Sequence, residues 1–65
     1  MKYRCIIIDD EPLARELIAS HLVNFQNFEL IDSFENALNA YTFLETNTVD
    51  LIFLDIEMPL LKGNE

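Results

Sequence analysis

Three short apolar runs alternate with two segments of helical period, and this alternation restricts the chain to very few folds. The first run, YRCIII at residues 3 to 8, and the third, LIFLDI at residues 51 to 56, are apolar on both faces of a strand. The second run is FELID at residues 28 to 32. Runs of this kind are typical of parallel sheets that helices cover on both sides.

The two segments between these runs have the apolar spacing of amphipathic helices. Pro12 suits the first turn of the first helix, because an N–H at that position would have no helical partner. We expect Asp10 to cap this turn. A second helix is predicted from about residue 36 to 45, where apolar residues recur three and four positions apart. The apolar arc of the first helix consists of Leu13, Leu17, Ile18, His21, Leu22 and Phe25.

The predicted order of elements is therefore βαβαβ. Because crossovers between parallel strands are right-handed almost without exception, this order predicts an α/β fold with a three-stranded parallel sheet. No internal repeat, low-complexity stretch or linker interrupts the chain, so residues 1 to 65 are predicted to form one domain without an internal boundary.

The charge of the chain narrows the classes of partner. Twelve acidic residues oppose four basic ones and give a formal net charge of −8, which repels nucleic acid and anionic membranes. The acids at positions 9 and 10 also interrupt the first apolar run before a signal peptide or a membrane span is complete. We therefore expect a cytoplasmic protein with no direct contact to DNA or membrane through this segment.

Three aspartates lie at predicted strand ends. Asp9 and Asp10 follow the first strand, and Asp55 falls at the end of the third. Carboxyl ends of parallel strands meet at one edge, where ligands of open α/β sheets bind, and neighbouring strands are about 4.8 Å apart. Carboxylates gathered there repel one another unless they turn to water, take up protons or bind a cation. The alternative is that each acid only caps a strand or a helix.

Oxygen ligands without a nearby histidine or thiolate favour Mg²⁺ or Mn²⁺ over zinc. Mg²⁺ commonly takes one or two carboxylates and keeps positions for a phosphate. An aspartate in such a site can accept a phosphoryl group as a nucleophile. The acids therefore indicate phosphoryl-transfer chemistry.

The motifs IIIDDEP and IFLDIEMPLLKG together resemble the N-terminal half of a bacterial response-regulator receiver domain, a flavodoxin-like doubly wound parallel sheet with strand order 2-1-3 over this half. The segments DDEPLAR and LDIEMP are most similar to the corresponding segments of transcription regulators with a LytTR-type DNA-binding output domain. The resemblance implies a two-component signalling protein that receives a phosphoryl group from a sensor histidine kinase.

On this resemblance, Asp55 is the phosphoacceptor and a metal ligand. Asp10 binds Mg²⁺ directly, and Asp9 binds it through water. Glu57 contributes its backbone carbonyl. The resemblance also assigns Met58, Pro59 and Gly63 to the loop that shapes the site.

The resemblance covers only part of the family's fold. Fourth and fifth strands, which carry a hydroxyl residue and a lysine of the family's site, have no counterpart in the 65 residues, and Lys62 does not match that lysine. The third strand is then an apolar sheet edge. If the chain ends at Glu65, we expect copies to associate through that edge.

Two other functions stay open at this point. A haloacid-dehalogenase-like phosphatase also uses a strand-end aspartate as nucleophile, but it needs a second aspartate two positions later, where this chain has Glu57. The other alternative is a pseudo-receiver that only binds a partner and is not phosphorylated. The receiver interpretation predicts no enzyme.

Overall fold

The computed structural model describes residues 1–55, which form a three-stranded parallel sheet and two helices. The predicted βαβαβ order and the strand order 2-1-3 are confirmed. Neither helix of this described part is long and apolar enough to cross a membrane. The elements are β1 (Tyr3–Ile8), α1 (Pro12–Leu22), β2 (Phe28–Phe34), α2 (Ala37–Leu44) and β3 (Leu51–Leu54).

The central strand β1 is the most deeply buried element. Cys5, Ile6 and Ile7 are each 0% exposed, because a paired strand lies on each edge of β1 and the helices pack against its faces. This explains why its sequence is apolar on both faces, whereas a strand with one solvated face alternates.

The strand β2 is longer than its sequence indicates. The predicted strand FELID ends at residue 32, but Ser33 pairs with Ile7 and Phe34 pairs with Ile8. The strand β3 ends at Leu54, before the predicted bound at residue 56, which lies outside the described residues.

An irregularity interrupts the pairing of β1 with β2. Cys5 pairs with Leu30, whereas the next residue, Ile6, pairs with Asp32, so that β2 contains one extra residue, Ile31. Before this bulge, Leu30 shares a sheet face with Cys5, and after it Phe34 shares the opposite face with Ile8.

The helix α2 covers the face of Ile6 and Ile8. Ala40 of α2 is 1% exposed against these two residues, and its small side chain lets the helix approach the sheet closely. Asn36 caps α2, since its Oδ1 accepts a hydrogen bond of 2.8 Å from the amide of Asn39. The partly buried residues around this core are Ile31, Phe34, Phe43, Leu44 and Val49.

The first helix packs less completely than its period predicts. Leu22 is buried, but Leu13 is 74% exposed and Leu17 60% exposed. His21 and Phe25 are exposed as well, so the predicted apolar arc is covered over only part of its length. The period of a sequence indicates which residues share a face, whereas coverage depends on what lies opposite that face.

The expected cap of α1 is also corrected. Glu11, not Asp10, occupies the N-cap position, and its side chain makes no capping hydrogen bond. Pro12 begins the helix as predicted.

Within residues 1–55, β3 is hydrogen-bonded to β1 alone and forms one edge of the sheet. Ile52 and Leu54 remain exposed although they share the α2 side of the sheet with Ile6 and Ile8, their partners in β1. The prediction that the third strand is an apolar edge is confirmed for these residues.

Candidate functional site

A pocket of about 450 Å³ opens at the carboxyl edge of the sheet, and Asp9, Asp10 and Asp55 all line it. The topology therefore brings together three acids whose outer members are 46 positions apart (55 − 9). The other lining residues are Ile8, Glu35, Asn36, Ala37 and Leu54.

Backbone hydrogen bonds fix two of these aspartates at the ends of their strands. The amide of Asp55 donates to the carbonyl of Ile8 over 3.2 Å, which extends the β1–β3 ladder by one residue. The amide of Asp9 donates to the carbonyl of Phe34 over 3.0 Å and extends the ladder toward β2. Both aspartates are thus held by the sheet and not by a free loop.

The side chain of Asp9 is buried, with only 4% of the residue exposed. Its Oδ1 accepts a hydrogen bond of 2.9 Å from the amide of Glu11, which is the residue before α1. The carbonyl oxygen of Asp9 accepts a second bond, of 2.6 Å, from Nη1 of Arg15. A buried carboxylate with a fixed partner has little freedom to turn toward a ligand.

Asp10 and Asp55 are both exposed to solvent. Exposed carboxylates on one pocket are accessible to an ion and to a phosphorylated reactant. Among residues 1–55, no three side chains of His, Cys, Asp or Glu lie close enough to hold a metal ion as a group. Mg²⁺ needs no such group, because it commonly binds one or two carboxylates and completes its shell with water. The oxygen donors of Asp10 and Asp55 therefore fit Mg²⁺ in chemical type.

One wall of the pocket was not predicted. Glu35 and Asn36, which follow β2, line it together with Ala37 at the start of α2. The rule that sites lie after strand ends identifies these residues when it is applied to β2 as well as to β1 and β3. The strand predicted from sequence ends at residue 32, so Glu35 and Asn36 do not directly follow its end.

Several predicted site residues lie outside the described part of the chain. They are Glu57, Met58, Pro59 and Gly63. The assigned roles of Asp9, Asp10, Asp55 and Glu57 remain predictions.

A sequence profile described as the response regulator receiver domain matches residues 5–65. The chain belongs to this receiver domain family. The observed parallel sheet with order β2-β1-β3 is consistent with the flavodoxin-like fold that the sequence motifs indicate.

Similar curated proteins are longer than this chain. Protein MrkE of Klebsiella pneumoniae is 39% identical over 62 residues, which is 95% of this chain and 23% of that protein. Transcriptional regulatory protein YpdB of Escherichia coli is 37% identical over 60 residues, or 92% of this chain and 25% of YpdB. Transcriptional regulatory protein BtsR of Salmonella typhi is 37% identical over 62 residues, covering 95% of this chain and 26% of BtsR.

This receiver domain chain thus spans about a quarter of the length of these relatives. No solved structure matches it significantly.

Proposed function

We propose that this chain is the phosphoacceptor part of a two-component response regulator and receives a phosphoryl group from a sensor histidine kinase on Asp55. The observation that carries this proposal is the placement of Asp55, which lies exposed directly after β3 in a pocket shared with Asp9 and Asp10. Membership of the receiver domain family supports the same role.

In the proposed reaction, a carboxylate oxygen of Asp55 attacks the phosphorus atom of a phosphohistidine. A bond forms between this oxygen and phosphorus, the phosphorus–nitrogen bond breaks, and its electron pair returns to the imidazole. The product is an acyl phosphate on Asp55. The chain acts here as a phosphoacceptor and not as an enzyme that releases product.

We propose Mg²⁺, or Mn²⁺ in its place, as the cofactor of this transfer. The cation supplies positive charge that offsets the charge on the phosphoryl oxygens. Asp10 and Asp55 would bind it directly, and the carbonyl of Glu57 would complete the protein ligands. The burial of Asp9, whose Oδ1 is already engaged by the amide of Glu11, favours a contact through water for this residue.

A LytTR-type output domain is part of the proposal for the whole regulator. The segments DDEPLAR and LDIEMP support such an output domain, and two relatives are named transcriptional regulatory proteins. We propose that DNA binding belongs to such an output domain and not to this acidic segment, with its net charge of −8. The proposed compartment is the cytoplasm.

If the chain ends at Glu65, we further propose that it associates with a second copy through β3. The strand LIFL contains no charged residue or proline, the two devices that commonly protect a sheet edge from pairing. Size-exclusion chromatography with light scattering at micromolar concentration tests this. Dimers support edge pairing, and a folded monomer contradicts it.

Incubation with acetyl phosphate and Mg²⁺, followed by intact-protein mass measurement, tests the phosphoacceptor function. We expect one phosphoryl adduct on the native chain and none on Asp55→Asn. Asp32→Asn is the matched control, because Asp32 is an exposed aspartate of β2 that does not line the pocket. An adduct that persists in Asp55→Asn contradicts the proposal, and steady turnover of a phosphate ester favours a phosphatase instead.

A further inference from the structure

Arg15, in the first turns of α1, contacts Asp9, which follows β1 at the pocket. Its Nη1 donates a hydrogen bond of 2.6 Å to the carbonyl oxygen of Asp9, and the residue is half-buried. Its own backbone amide donates to the carbonyl of Glu11 over 3.1 Å. The same side chain and backbone therefore hold both ends of the segment from Asp9 to Glu11.

A third hydrogen bond closes this segment from within. The amide of Glu11 donates to Oδ1 of Asp9 over 2.9 Å. Asp10 stands between these two residues, and its own carboxylate is exposed on the pocket. The direction in which Asp10 presents its carboxylate thus depends on backbone atoms that Arg15 and Asp9 fix.

Arg4 lies at the opposite end of the strands from the pocket and provides a comparison for Arg15. It is also half-buried, and its Nε donates a hydrogen bond of 2.8 Å to a backbone carbonyl, that of Thr48. Arg4 directly precedes Cys5, where the pairing of β1 with β3 begins, whereas the acidic pocket lies at the other end of these strands, after Ile8 and Leu54. The two arginines make the same kind of bond, but only Arg15 touches a residue of the pocket.

We propose that Arg15 is a positioning residue of the acidic pocket, which holds the carbonyl of Asp9 and thereby fixes the turn that presents Asp10 to Mg²⁺. This inference rests on the proposed function. It assigns to Arg15 an effect on metal affinity although its guanidinium carries a charge of the same sign as the metal.

The sign of the effect separates positioning from simple electrostatics. Removal of a nearby positive charge, taken alone, strengthens the binding of a cation. Loss of a group that orients a metal-binding residue weakens the affinity for the cation, typically by about 10- to 100-fold when the group contacts that residue. Since Arg15 acts on the backbone next to Asp10, we expect a loss near the lower figure, about tenfold.

Two substitutions of Arg15 isolate its hydrogen bond. Arg15→Met keeps most of the aliphatic stem but removes both the donor and the charge. Arg15→Lys keeps the charge and one donor group of similar reach. Arg4→Met is the matched control, because it removes an equivalent hydrogen bond away from the pocket.

The experiment combines calorimetric titration of each variant with MgCl₂ and amide hydrogen exchange measured by NMR. We expect Arg15→Met to bind Mg²⁺ about tenfold more weakly than the native chain, with Arg15→Lys recovering most of the affinity and Arg4→Met changing it by less than about twofold. In Arg15→Met, exchange of the Glu11 amide is expected to accelerate relative to that of Ile7, a buried residue that reports global unfolding.

Unchanged or tighter Mg²⁺ binding by Arg15→Met overturns the inference, as does an equal loss in Arg4→Met. If the native chain itself binds no Mg²⁺, the proposed function fails, and the exchange data decide the role of Arg15 independently. Faster exchange confined to Glu11 then supports a fixed turn, and unchanged exchange overturns it.

Discussion

Replacement of the buried Asp9 tests how much its hydrogen bond to the amide of Glu11 stabilises the turn between β1 and α1. Asp9→Ala removes the acceptor of the Glu11 amide, whereas Asp9→Asn keeps an acceptor oxygen and removes only the charge. A hydrogen bond to a charged group contributes about 1.5–3 kcal/mol, and a carboxylate beside a helix N-terminus adds about 0.3–1 kcal/mol. Asp9 also lines the same pocket as Asp10 and Asp55, so removal of its negative charge reduces their repulsion and offsets part of this loss.

We therefore expect Asp9→Ala to lower the free energy of unfolding by about 1.5 kcal/mol and Asp9→Asn to change it by less than about 0.5 kcal/mol. The measurement is urea unfolding followed by far-ultraviolet circular dichroism, without metal and at one fixed protein concentration. With a slope of about 1 kcal/mol per molar urea for a small domain, the two midpoints should differ by about 1–1.5 M. Equal losses in both variants would refute the reasoning, because the charge and not the hydrogen bond would then stabilise the turn.

Three further predictions concern the frame of the site. Ile6→Ala is expected to lower the free energy of unfolding by about 2–5 kcal/mol and Ile6→Val by about 0.5–1.5 kcal/mol, since Ile6 is 0% exposed; equal urea midpoints would contradict this packing. Asn36→Ala should cost about 0.5–2 kcal/mol in the same assay through loss of the α2 cap, with Asn36→Ser as the conservative control. Burial raises the pKa of the Cys5 thiol, so the folded state keeps its proton to higher pH than the unfolded state, and stability should fall as pH rises above about 8.5, less steeply in Cys5→Ala.

The order of elements could be predicted from the sequence because a strand that is buried on both faces consists of consecutive apolar residues. Cys5, Ile6 and Ile7 are apolar without alternation, and such a run fits a central parallel strand better than any other element. Leu13 and Leu17 could not be interpreted in the same way. Their spacing places them on one helix face, but nothing in the described residues covers that face, and coverage is a tertiary property.

The candidate site was predictable in position and not in detail. The rule for strand ends brings Asp9, Asp10 and Asp55 to one pocket, as observed. It does not indicate that Asp9 is buried while its neighbour Asp10 is exposed, since this difference depends on the bonds to Glu11 and Arg15. These contacts join residues two and six positions apart through side chains whose directions no hydrophobic pattern records.

The extra residue in β2 is a position at which this strand can lose one residue without changing its pairing with β1. Deletion of Ile31 would leave Leu30 opposite Cys5 and Asp32 opposite Ile6, because these two pairs already flank the bulge, and the ladder would become regular. Phe34 would stay opposite Ile8, and Glu35 and Asn36 would keep their place in the pocket. The cost would be the loss of the Ile31 side chain, which packs against the core. Single-residue gaps of homologues in β2 should therefore fall at this bulge and not within the paired segments on either side of it.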